Sequence, residues 1–219
     1  MSFELHAHLY GCLTLRDLVC LSRREGLRYD FFNRSFASTY GQTIDLKKIL
    51  EAKDWLKLAR CYYFRKPGNF QDFQTGFDLV IALSRSDESE FHQIVQTVQE
   101  RQSAALAEYR QLFSPLLTPD EWAQKVESLA GAMRDASHRH PQKQMRLAMS
   151  LLREGNAADW QYRVLKQLQE SSPAVREMLV AVDFCATEEG FPPGAREELF
   201  ALIHKDNARD PSRALAILY

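Results

Sequence analysis

Cysteine is sparse in these 219 residues, and Cys12, Cys20, Cys61 and Cys185 lie far apart with no C-x-x-C pair among them. That excludes a disulfide framework and fits a reducing, cytoplasmic setting. No stretch approaches the about 18 uninterrupted apolar residues of a membrane span. The N-terminus "MSFELHAHLYG" has neither the basic start nor the apolar run of a signal peptide. An excess of one charge is missing too: 28 Lys and Arg stand against 29 Asp and Glu, a net charge of −1. Nothing in that balance argues for nucleic acid or an anionic membrane, so the expected partner is a small molecule or a protein. What is present is a chain 45% hydrophobic, long enough to bury a core as one large domain or two small ones.

Hydrophobic periodicity organises the chain. Alternation in "SFELHAHLY" predicts a strand with Phe3, Leu5, Ala7 and Leu9 on one face and Glu4, His6, His8 and Tyr10 on the other. Gly11 ends it, Thr14 caps a following helix, and Gly26 is its stop. A broken helical excursion is expected over about residues 29–68, with its clearest helix from Asp45 to Arg60 and a turn at "KPGN". Helices over Phe70 to Leu83 and Ser86 to Gln102 come next. Three strand-then-helix units follow: "ALAEYRQLF" before "TPDEWAQKV", "QMRLAMSLL" before "NAADWQYRVLKQL", and "MLVAVDFCA" before "GAREELFALIHK". Thr118 to Glu121 is a full capping box with proline at the first helical position. Strands alternating with such helices predict an α/β fold with parallel strands, and "RALAILY" reads as a fifth strand beginning.

His6 and His8 are the chemical feature of the first strand. Same-face neighbours on a strand lie about 6.6 Å apart at Cα, close enough for two imidazoles to approach one ion. Zinc accepts neutral imidazole, but a catalytic zinc needs about three protein ligands and an open position, so two histidines are too few alone. The plain alternative is a pair of hydrogen-bonded polar groups at a strand end. His138 and His140, with the same spacing in "SHRHP", read as a solvated loop on the opposite rim, and Cys185 reads as packing.

"ELHAHLYGCLTLRDL" resembles the first-strand motif of the adenosine deaminase family, within the metal-dependent amidohydrolases. "AVDFCATE" is similar to that family's fourth-strand segment, "MRLAMSLLR" to its third strand, and "AEYRQLFSP" more loosely to its second-strand E-x-R-x-S-P pattern. The resemblance implies the first half of a TIM-like (β/α)8 barrel, about four βα units plus the excursion, with residues 1–219 a single partial domain. It implies zinc-dependent hydrolytic deamination of a purine nucleoside or related base, with His6 and His8 as zinc ligands. Tyr10, Gly11, Asp183 and Ala186 are then substrate contacts.

Departures from the family qualify those expectations. Tyr10 replaces an acid that holds a sugar hydroxyl, and Ala186 stands where a glycine lets the backbone approach the purine. The fifth-strand His-x-Gly-Glu motif, with the proton-shuttling glutamate, is expected beyond Tyr219. The catalytic acid/base is therefore placed outside these residues, the chain alone is expected to be inactive, and its partner is the remainder of the barrel, in cis or as a second chain. A non-catalytic homologue or assembly subunit, and an amidohydrolase with another substrate, are the alternatives.

Overall fold

The computed structural model describes residues 2–63, 68–185 and 190–219; the side chain of His6 lies outside that description. The chain divides into two compact units, one formed by Met1–Leu9 with Asp87–Tyr219, the other by Tyr10–Ser86.

The first unit is α/β. Strands β1 (Phe3–His8), β2 (Leu106–Leu112), β3 (Gln144–Leu152), β4 (Leu179–Cys185) and β5 (Ala216–Leu218) form a parallel sheet in sequential order. From β2 onward, helical crossovers join successive strands, as expected of a curled sheet forming part of a (β/α)8 barrel. Four strand expectations match their sequence segments to within a few residues. Of the helices of this unit, α6 (Glu88–Arg101) precedes β2 and α7 (Pro119–Arg139) precedes β3. Next, α8 (Ala157–Ser171) and α9 (Pro173–Met178), divided at Ser172 before Pro173, precede β4, and α10 (Glu197–Arg209) precedes β5.

Alternate residues of β2 and β3, including Ala107, Tyr109, Met145, Leu147 and Met149, are buried on the helix-covered face. Trp122 of α7 packs edge-on against Trp160 of α8 at 5.7 Å, and Phe184 of β4 packs against Phe200 of α10 at 5.2 Å. At the N-terminal ends of the strands, side chains bind backbone across elements. Gln102 Nε2 donates to the carbonyls of Ala104 and Gln144 (2.8 and 3.0 Å), and its Oε1 accepts from Tyr109 Oη at 3.1 Å. Asn207 bonds both N and O of Leu215, fixing α10 to the start of β5.

The strict alternation expected of β1 does not hold. Phe3 and Glu4 pair with Leu106 and Ala107, whereas Ala7 and His8 pair with Tyr109 and Arg110, so the register slips by one residue between Glu4 and Ala7. The slip is a bulge on an edge strand, where one neighbour rather than two constrains the pairing. Phe3 and His8 consequently share a face, and Phe3 and Leu5 are 58% and 56% exposed rather than buried.

The second unit is helical, with α1 (Leu15–Leu21), α2 (Tyr29–Tyr40), α3 (Leu46–Glu51), α4 (Trp55–Tyr62) and α5 (Phe70–Leu83). The single helix expected from Asp45 to Arg60 is two. Lys53 takes φ 53°, outside the helical range, and Asp54 restarts the chain by accepting from Lys57 N at 3.0 Å. A polar seam joins α2 to α5: Ser35 Oγ donates to Asp78 at 2.5 Å, and the Thr39 and Thr75 hydroxyls lie 2.7 Å apart.

Candidate functional site

In parallel α/β sheets chemistry gathers at the C-terminal ends of the strands, where the following loops converge. His8 closes β1 there and is exposed, and its Cα partner is Arg110 of β2. Arg110 in turn partners Ala148 of β3, and Ser150 two residues on partners Asp183 of β4. These residues occupy the face opposite Tyr109, whose phenol is buried toward α6. His8, Arg110, Ser150 and Asp183 therefore share the face of the sheet turned away from the helices.

Asp183 is the centre of the network. Arg110 Nη1 donates to its Oδ1 at 2.7 Å, and Ser150 Oγ donates to its Oδ2 at 3.0 Å. The Arg110 side chain crosses β3 over Ala148, whose single methyl leaves that path open. Cys185 lies on the same face of β4; burial, with Asp183 adding to it, pushes its thiol up to about 12. A thiol so protonated is a poor nucleophile. Beyond β3, Arg153 stacks its guanidinium 4.6 Å from the Tyr219 ring centroid, and Arg196 donates to the Arg153 carbonyl at 3.2 Å.

The remaining sequence candidates fall in several places. Tyr10 and Gly11 begin the helical unit in a short 3-10 turn, where the Tyr10 phenol is buried and donates to Ser86 Oγ at 3.4 Å. Ala186 lies outside the described residues, as does the side chain of His6, although the His6 backbone belongs to β1. His138 belongs to the last turn of α7 rather than to a loop, and its Nε2 lies 2.8 Å from Glu177 Oε1.

Zinc chemistry suits an imidazole at His8, but the donor set is short. Among the described residues no group of three or more His, Cys, Asp or Glu side chains is arranged to hold a metal ion. Arg110 and Ser150 are the site residues that sequence reasoning did not single out. Arg110 is the arginine of the E-x-R segment "EYR", a visible signal, but its pairing with Asp183 spans 73 positions and two inter-strand steps.

No known protein family matches the sequence, and no curated protein is recognisably related to it. Among solved structures, the chain resembles adenine deaminase from Arthrobacter aurescens with a TM-score of 0.62 at 19% identity. The likeness covers 94% of this chain and 55% of that one, so the chain spans about half the length of its structural neighbour. At this identity the match defines the fold.

Proposed function

We propose that this chain forms part of a metal-dependent hydrolytic deaminase acting on a purine base or nucleoside, with His6 and His8 as two of the metal's ligands. The observation that carries the reading is the polar cluster of His8, Arg110, Ser150 and Asp183 at the C-terminal ends of β1 to β4, in a fold shared with an adenine deaminase. A metal held by His6 and His8 would supply the activation of water at neutral pH that replacing an amino group with oxygen requires. The described residues supply too few ligands for a closed site. The other ligands and the proton-transfer group are proposed to lie outside the described residues, in a further part of the barrel carried by the same polypeptide or by a partner chain.

Ammonia release from adenine and adenosine, measured on the protein purified from its host, tests the reading. The expected result is release that a chelator abolishes and zinc restores. A folded, metal-loaded protein releasing no ammonia from either compound contradicts it and favours the non-catalytic alternative.

A further inference from the structure

Asp183 and Arg110 are unequal partners. The aspartate side chain is 4% exposed and the arginine 12%. Both carboxylate oxygens of Asp183 are already bonded, Oδ1 by Arg110 and Oδ2 by Ser150. The guanidinium, by contrast, bonds Asp183 through Nη1, and its Nε, itself buried, finds no acceptor among the described residues. A carboxylate so enclosed is a support, whereas a five-donor fork engaged through one nitrogen keeps N–H groups for a further acceptor.

We propose that Arg110 is a ligand-binding residue of this site, and that Asp183, backed by Ser150, is a positioning residue acting through it. Charge narrows the class of ligand. Asp183 neutralises the guanidinium at 2.7 Å, so the pair offers directed N–H donors with little net field. Such a pair suits the ring nitrogen or carbonyl acceptors of a neutral planar heterocycle better than a phosphate, which gains most from an uncompensated cation. The bond from Nη1 to Asp183 holds one arm of the guanidinium, and Ser150 keeps Asp183 from turning away. The inference rests on the deaminase reading and deepens it, selecting an uncharged base over a nucleotide.

Equilibrium binding of adenine to the protein purified from its host, with inorganic phosphate and adenosine 5′-monophosphate as competitors, tests it. Arg110→Lys keeps the charge opposite Asp183 and loses the planar fork; adenine binding is expected to fall roughly tenfold while the thermal midpoint stays near that of the parent. Arg110→Met leaves Asp183 buried without its cation and risks misfolding, so the double variant Arg110→Met/Asp183→Asn, which removes both charges, is measured with it. Because Asp183 acts through Arg110, the double variant is expected to bind adenine no more weakly than Arg110→Met alone whenever that variant folds. Ser150→Ala is expected to weaken adenine binding by a smaller factor. Unchanged adenine affinity in Arg110→Lys and the double variant overturns the inference and leaves the deaminase reading standing. Inorganic phosphate displacing adenine at concentrations comparable to adenine itself, or adenosine 5′-monophosphate binding more tightly than adenine, overturns the neutral-ligand assignment. Failure of the unsubstituted protein to bind adenine at all overturns the reading itself, and this inference with it.

Discussion

Gln161 of α8 is fully buried, and neither its Nε2 nor its Oε1 has a hydrogen-bond partner among the described residues. An amide left so in the interior carries its desolvation penalty without compensation, whereas a side chain of similar shape and no polar atoms does not. Gln161→Met is therefore expected to raise unfolding stability by about 1 kcal/mol in urea titration; a lower midpoint at unchanged m-value contradicts this. Asp183 presents the opposite case, a buried carboxylate with both oxygens satisfied. "AVDFC" reveals that Asp183 lies in a strand, but not what it bonds. Its two donors come from β2 and β3, and only the sheet register brings them within reach. His8 is legible near the strand end because Gly11 follows it closely in sequence; the structure ends β1 two residues earlier than expected, at His8 itself.

At the level of elements, the units that read most clearly are those whose signals are local. The capping box of α7 is formed as its sequence implies: Thr118 Oγ1 accepts from Glu121 N at 3.3 Å, and Glu121 Oε2 accepts from Thr118 N at 2.9 Å. Those bonds hold the carboxyl of Glu121 below its ordinary range. Thr118→Ala is expected to destabilise the protein by about 1 kcal/mol, read as a lower thermal midpoint; no shift means that the long helix does not depend on its cap. β3 and β4 were equally legible as short, mostly apolar segments, each followed by a helical segment. The elements misread from sequence are governed by context. The break between α3 and α4 turns on one lysine at φ 53° and a competing cap at Asp54. The slip in β1 arises at a sheet edge, where alternation alone cannot fix the register.

Across the whole molecule, the sheet of the first unit ends in β1 on one side and β5 on the other. The β1 edge, with one neighbour among the described strands, carries Phe3 and Leu5 exposed, and exposed apolar side chains on an edge strand favour association with further strands. Phe3→Lys is expected to leave stability within about 0.5 kcal/mol and to reduce concentration-dependent self-association in sedimentation velocity. Unaltered association locates the contact elsewhere. This architecture was readable from the order of the strand and helix segments, whereas the division into two units was not, since it depends on contacts far apart in sequence. The central claim concerns the histidines of the first strand, and zinc titration followed by the histidine ring resonances tests it most directly. His6 and His8 are predicted to shift together at zinc concentrations that leave His138 and His140 unmoved, and His8→Asn is predicted to abolish the His6 response. Shifts that begin at His138 and His140, or that leave His6 unaffected while His8 responds, contradict a metal site on β1.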